Sequence, residues 1–171
     1  MDLLKEKHLN ITKTYFSSID KFKVLKDYNL KLTKTIYTKT PYPSNRGGLE
    51  KKFMEKLDKD ANVQSFLKIM EFKHRFATIK YFNESGFVTS YYPDFIVRAS
   101  DTIYLVETKA DKDIINPLVM TKQKASESYI ARINNLPLED RDNRKWEYVL
   151  LKESAVKDKD TFQEMLIYNK G

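Results

Sequence analysis

Three charged residues in the middle of the chain have the types and the spacing of a metal-dependent hydrolytic site. Asp94 begins one short apolar stretch, and Glu107 and Lys109 end the next. Because side chains alternate along a strand, Glu107 and Lys109 point to the same face. If the two strands pair, an acid from one meets an acid and an amine from the other inside an apolar sheet. This concentration of charge is typical of a site that holds a hard cation and hydrolyses a phosphodiester bond.

Magnesium is the cation that this arrangement suits, since it prefers oxygen ligands in octahedral geometry and keeps several waters. Asp94 and Glu107 would supply carboxylate oxygens, and the carbonyl of Thr108 is a candidate third ligand. A bound cation polarises a phosphoryl oxygen and lowers the pKa of the attacking water. Lys109, flanked by two carboxylates, is expected to stay protonated and to stabilise charge in the transition state.

A structural explanation of the same residues competes with this one. An acid-x-lysine tripeptide is common by chance, so Glu107 and Lys109 could be a solvated cross-strand pair and Asp94 a turn residue. The context favours a site, because the tripeptide ends the apolar run 103–106 and Pro93-Asp94 begins another. We also expect that removing one of these acids raises thermal stability, since like charges repel when no metal is bound.

Turn signals and hydrophobic periodicity predict the elements that position these residues. A helical stripe at Leu49, Phe53 and Leu57 predicts a first helix. Asn116-Pro117 predicts the start of a second, and the capping-box spacing of Thr161 and Glu164 predicts a last one. Strands are predicted at 76–82, 87–92, 94–98, 103–109 and 146–151, while 63–70 could be helix or strand. This order predicts an α/β fold with a mixed central β-sheet flanked by helices.

The central motif resembles that of the PD-(D/E)xK nuclease superfamily. Here it consists of Pro93-Asp94, twelve residues from Phe95 to Val106, and Glu107-Thr108-Lys109. The resemblance implies a restriction-endonuclease-like core. It also implies a further metal-site acid on the preceding helix, which matches Glu50. By itself, Glu50 is an ordinary acid in the first turn of a helix, where the helix dipole favours it.

The sequence around this motif is similar to that of the C-terminal endonuclease domain of the type III restriction enzyme cleavage subunit. The matching segments cover about Pro43 to Leu151 and include Gly-Gly-Leu-Glu before a Phe, Ile79-Lys80-Tyr81, and Val106 to Lys109. Ala110 departs from the family, which commonly has Gly there. We expect residues 44–171 to form the nuclease domain and residues 1–43 an N-terminal arm or extension.

The resemblance implies a magnesium-dependent endodeoxyribonuclease, with Mn²⁺ as a possible substitute, acting on double-stranded DNA. The sequence has only four glycines and no P-loop, so ATP would act only through a motor domain that this sequence does not contain. That motor and a methyltransferase subunit are the expected partners if the chain is part of a type III enzyme. The alternatives are a stand-alone nuclease of the same superfamily on branched or foreign DNA, and a non-cleaving nucleic-acid-binding module.

Composition agrees with a polyanionic partner but does not require one. The 171 residues carry a net charge of +7, spread without a dominant run. Lys73, Lys122 and Lys124 are candidate phosphate contacts, although an ordinary solvated face explains them equally well. The two histidines, His8 and His74, are far apart and give little support to histidine-based catalysis. Without cysteines, signal peptide or membrane segment, the chain is expected to be soluble and cytoplasmic.

Overall fold

The structure is built on a sheet whose strands carry buried residues on both faces. The computed structural model describes residues 12–24, 26–44, 48–71 and 73–170. In chain order the elements are β1 (Asn29–Leu30), β2 (Thr40–Pro41), α1 (Leu49–Lys59), β3 (Val63–Lys68), β4 (Ile79–Phe82), β5 (Val88–Tyr91), β6 (Phe95–Ala99), β7 (Thr102–Lys109), α2 (Pro117–Asn134), β8 (Lys145–Lys152), α3 (Glu153–Asp158) and α4 (Phe162–Lys170).

The central sheet has four strands in the order β3-β6-β7-β8. The first three are antiparallel neighbours, whereas β8 runs parallel to β7 because α2 connects the two strands. Two short hairpins, β1-β2 and β4-β5, form separate antiparallel pairs. The predicted mixed sheet flanked by helices is therefore confirmed, and the ambiguous segment 63–70 forms a strand.

Each face of the central sheet has its own apolar core. Helices α1, α3 and α4 cover one face, where Phe53, Phe95 and Val106 are fully buried. Helix α2 and the β4-β5 hairpin cover the other, where Ile96, Leu105 and Ile130 pack together. Burial on both faces explains why the sequences of β6 and β7 are apolar runs rather than alternating patterns.

Local signals predicted three of the four helices. The side-chain carbonyl of Asn116 accepts a hydrogen bond from the Leu118 amide at 2.9 Å, and α2 starts at the proline between them. Thr161 and Glu164 make the reciprocal bonds of a capping box at α4. Helix α3 was not predicted, because its N-cap residue Lys152 makes no side-chain cap and the capping carboxylate is distant in sequence: Asp111 accepts from the amide of Ser154 at 3.0 Å. Within the described ranges, no helix is both long and apolar enough to cross a membrane.

The described part of the predicted arm lies against the core. Leu30, Leu32 and Tyr42 pack on the α1 side of the sheet. The carbonyl of Lys34 accepts a hydrogen bond from the amide of Phe66 at 2.8 Å, on the outer edge of β3. The domain boundary near residue 44 stays a prediction. Residues 1–11, including His8, lie outside the described part of the chain.

His74 packs inside the protein, as a lone histidine usually does. The ring is fully buried and stacks on Tyr37 with a centroid separation of 5.9 Å. Its Nδ1 accepts from the Met70 amide at 3.0 Å, so the proton is on Nε2, which lies 2.8 Å from the Tyr37 hydroxyl. Burial lowers the pKa of His74, and the charge of Lys68 lowers it further. The ring is therefore neutral and contributes to packing rather than to catalysis.

Asp60 joins the end of α1 to the start of α4, and its removal is expected to destabilise the fold. Its carboxylate is buried and accepts from the amides of Asn62 at 2.9 Å and Phe162 at 2.7 Å. Asp60→Ala leaves the buried Phe162 amide unpaired, so we expect the free energy of unfolding to fall by about 2–4 kcal/mol. Urea unfolding measures this, with Asp158→Ala at an exposed position as the control. Equal effects of the two changes would contradict this role of Asp60.

Candidate functional site

Asp94 is fixed by the sheet immediately before β6 begins. Its amide donates to the carbonyl of Val106 at 3.1 Å, and its carbonyl accepts from the amide of Ile69 at 2.8 Å. The backbone of Asp94 is thus bonded to strands on both sides. The pairing of β6 with β7 ends at Phe95 and Val106, so Asp94 and Glu107 are the next residues at the same end of the two strands. They are close enough for the charge of Asp94 to act on Glu107.

Thr108 orients the carboxylate of Asp94. Its amide and its hydroxyl both donate to Oδ2 of Asp94, each at 2.8 Å. Both bonds are made to Oδ2, and neither involves Oδ1. The hydroxyl and amide bonds were not foreseen from the sequence, and the proposed ligand role of the Thr108 carbonyl stays a prediction.

Glu107 is a buried acid with one oxygen engaged and the other not. Its residue exposure is 4%, and Lys109 Nζ lies 2.6 Å from Oε1. Oε2 is buried and has no hydrogen-bond partner among the described residues. A buried carboxylate oxygen without a partner is costly unless a proton or a cation neutralises the group.

The surroundings of Glu107 favour its protonated form when nothing else is bound. Burial raises the pKa of Glu107 to about 7, and the nearby negative charge of Asp94 adds to the rise. The ammonium groups of Lys109 and Lys122 oppose it. Asp94 and the two lysines therefore all affect the pKa of Glu107, and desolvation by burial is the largest effect.

Helix α2 brings Lys122 to this site. Its Nζ lies 5.2 Å from the centroid of the Tyr91 ring. The Tyr91 hydroxyl bonds to Ser126 Oγ and donates to the Lys122 carbonyl at 3.2 Å, which fastens α2 to the β4-β5 hairpin. Burial raises the pKa of Tyr91 and of Tyr148, and the nearby acids contribute, so both hydroxyls stay protonated.

The sequence reading missed this hydroxyl network, although one signal for it was visible. Ser126 lies one turn before Ile130 on α2 and is fully buried. A buried serine needs a hydrogen-bond partner, which indicates a polar group on the facing strand. That partner is Tyr91, and nothing in the sequence spacing identifies it.

Glu50 pairs with a lysine rather than joining the two acids. Its Oε2 lies 2.5 Å from Nζ of Lys68, and both side chains are largely buried. The contact is an ion pair without hydrogen-bond alignment, since Oε2 has no partner of suitable geometry among the described residues. Lys68 also lies over the Phe95 ring, on the α1 face of the sheet. A role of Glu50 at a metal stays a prediction.

The remaining predicted contacts lie apart from one another. Lys124 is exposed on α2, and Lys73 is exposed in a loop with its Nζ 5.9 Å from the centroid of the Phe22 ring. No group of three or more His, Cys, Asp or Glu side chains within the described ranges is close enough to hold a metal ion. The site that the structure brings together is thus Asp94, Glu107, Lys109 and Lys122. Such a site can accept a cation at the acids and an anionic oxygen at the lysines.

The raised pKa of Glu107 predicts a pH-dependent cost to stability. Folding raises the pKa of Glu107 from 4.5 to about 7. Relative to the ionised group, the carboxyl therefore adds its full contribution to the free energy of unfolding below pH 4.5 and loses that contribution as the pH rises through 7. Glu107→Gln removes the cost, so we expect the Tm gain of this variant to be larger at pH 8 than at pH 5, by about 4–8 °C.

Thermal melts without divalent metal at both pH values measure the difference. Glu139→Gln, at an exposed position, is the matched control and should show no such widening. A gain that is the same at pH 5 and pH 8 would mean that Glu107 is ionised throughout this range.

The comparisons with known proteins leave the site to be interpreted from its own chemistry. No protein-family model matches the chain, and no significant match was found among curated proteins or solved structures.

Proposed function

We propose that the chain is a magnesium-dependent nuclease domain with a restriction-endonuclease-like core, acting on double-stranded DNA. The family resemblance favours the cleavage domain of a type III restriction enzyme, in which a motor domain and a methyltransferase belong to other parts of the assembly. The motif Pro93-Asp94 with Glu107-Thr108-Lys109 supports this proposal from the sequence. The charge of +7 agrees with a polyanionic substrate.

The observation that carries the proposal is the unpartnered oxygen of Glu107. Oε2 is buried, the described residues offer it no hydrogen-bond donor, and the charge of Asp94 acts on the same carboxyl group. Carboxylate oxygens of this kind are the ligands that Mg²⁺ and Mn²⁺ prefer. Asp94 and Glu107 would hold the ion, which when bound supplies Lewis-acid polarisation of a phosphoryl oxygen and a more acidic water. The residues present therefore fit the group.

The side chains of the chain itself have separable tasks in this proposal. Thr108 fixes the Asp94 carboxylate, so the two acids are oriented before any ligand arrives. Lys109 contacts Glu107 and would stabilise negative charge on the phosphoryl group. Lys122, held on the ring of Tyr91, is placed to bind a neighbouring phosphate oxygen.

Substitutions that separate these tasks test the proposal. Asp94→Ala and Glu107→Ala are expected to abolish both metal binding and plasmid nicking, because each removes half of the acid pair. Lys109→Ala is expected to reduce nicking at least about 100-fold while metal binding remains, since its task is charge stabilisation. Asp101→Ala, in the exposed turn between β6 and β7, is the control and should leave both unchanged.

The outcomes separate the nuclease from its alternatives. Near-wild-type nicking by folded Asp94→Ala would refute the assignment. Metal binding without nicking, on linear, supercoiled and branched DNA alike, would indicate a competent site that requires the motor and methyltransferase. Salt-dependent DNA binding that is insensitive to magnesium, with no metal bound, would favour the non-cleaving binding module.

Metal binding should also displace a proton from Glu107. Since its pKa is about 7, the carboxyl group is mostly protonated at pH 6 and must ionise to serve as a ligand. We expect binding of Mn²⁺ to release about one proton at pH 6 and almost none at pH 8.5. Calorimetric titrations in two buffers of different ionisation enthalpy measure the number released. Equal release at both pH values would place the metal away from Glu107.

A further inference from the structure

The outer edge of β8 is the part of the central sheet whose hydrogen bonding is incomplete. Strand β8 is an edge strand, paired on one side with β7. Along a strand, the main-chain groups of alternate residues point to opposite edges. The main-chain groups of the even-numbered residues therefore point to one edge; these residues are Trp146, Tyr148, Leu150 and Lys152. The contacts at the two ends of β8 identify which edge this is.

Two asparagine side chains close the ends of that edge. Asn134 bonds to both main-chain groups of Trp146, donating to the carbonyl at 2.8 Å and accepting from the amide at 3.0 Å. Asn169 donates to the carbonyl of Leu150 and accepts from the amide of Lys152, each at 2.9 Å. Each amide side chain thus pairs with the strand as a neighbouring strand would. The outer edge is fixed as the edge of even-numbered residues.

The middle of the edge has no such partner. By the same parity, the amide and carbonyl of Tyr148 and the amide of Leu150 point outward. None of the described residues bonds to these three groups. Their order of donor, acceptor and donor is what an added strand pairs with.

A cavity of about 300 Å³ lies against this open stretch. Helix α2 contributes Gln123 and Glu127 to its wall, and α4 contributes Gln163 and Ile167. The walls are therefore two helices, and the floor is the edge of β8. The shape suits an extended chain lying between the helices, parallel to the strand.

The opposite edge of the sheet shows what a covered edge looks like in this protein. There the segment around Lys34 lies along β3, and its carbonyl accepts from the Phe66 amide. Exposed edges are liabilities that proteins usually cover or interrupt. The middle of the outer edge of β8 is neither paired with another segment nor interrupted by proline, so it is available to a partner.

We propose that the open stretch of β8, from Tyr148 to Leu150, binds an extended peptide of another protein that carries a basic side chain. The peptide adds to the sheet through main-chain bonds, the recognition mode known as β-augmentation. Its basic side chain contacts Glu127, whose only described side-chain bond is to the neutral amide of Gln123 at 2.8 Å. The site lies on the sheet edge and requires no metal chemistry.

Amide hydrogen exchange gives this proposal a residue-specific test. In the free protein the amides of Tyr148 and Leu150 should exchange much faster than those of Val149 and Leu151, which point to β7. The probes are capped hexapeptides of alternating threonine and valine with one lysine at each position in turn. At least one of them should slow exchange at Tyr148 and Leu150 by about tenfold or more and leave Val149 unchanged.

Two variants separate the main-chain and charge contributions. Leu150→Pro removes an outward amide at an edge position, where proline is tolerated. It should abolish binding of the peptide. Because the change also removes a buried side chain, Leu150→Ala, which keeps the amide, is its control and should still bind. Glu127→Lys, at an exposed helix position that does not threaten folding, should weaken binding about tenfold or more. Glu84→Lys makes the same charge change in the β4-β5 turn and should have no effect.

Several results would overturn the proposal. Slow exchange at Tyr148 and Leu150 in the free protein would mean that the edge is already covered. Protection that depends on protein concentration would mean that a second copy occupies it. Binding that survives both Leu150→Pro and Glu127→Lys, or no protection with any probe peptide, would place peptide recognition elsewhere or exclude it.

Discussion

The cost of burying a carboxylate decides how the central site of this protein is organised. The parallel pairing of β7 with β8 places Glu107 beside Leu150 in an apolar sheet. The charge of Glu107 must be met by a proton, by Lys109 or by a cation. Burial and the charge of Asp94 favour the protonated form, whereas Lys109 and Lys122 favour the ionised form. The protonation of Glu107 therefore depends on the positive charge near it.

The fold makes that balance possible by covering both faces of the sheet. Helix α1 and its neighbours cover one face and α2 covers the other, so Glu107 is buried near the end of β7 while Lys109 stays partly exposed. The bonds from Tyr91 to Ser126 and to the Lys122 carbonyl hold α2 where its lysine can act on Glu107. Packing and electrostatics are therefore set by the same contacts, and the loss of one would change the other.

Much of this arrangement follows from local patterns, and the rest depends on pairing that local patterns do not contain. Asn116-Pro117 and Thr161 with Glu164 predict helix starts because a cap is a property of a few neighbouring residues. The alternation around Glu107 predicts the face that it shares with Lys109. In contrast, the contact of Glu50 with Lys68 depends on how far α1 lies from the sheet, which no periodicity encodes. The start of α3 is stabilised by Asp111, far away in sequence, so it was missed for the same reason.

The contacts of the N-terminal segment indicate how much of the chain the folded domain includes. The Lys34 carbonyl covers the edge of β3, and Tyr37 covers the buried ring of His74. A protein shortened to begin at residue 44 would present an uncovered strand and a ring of mixed polarity to solvent. Such an edge is a template for pairing with other molecules. The sequence that resembles a nuclease domain is thus smaller than the piece of chain that covers the edge of its own sheet.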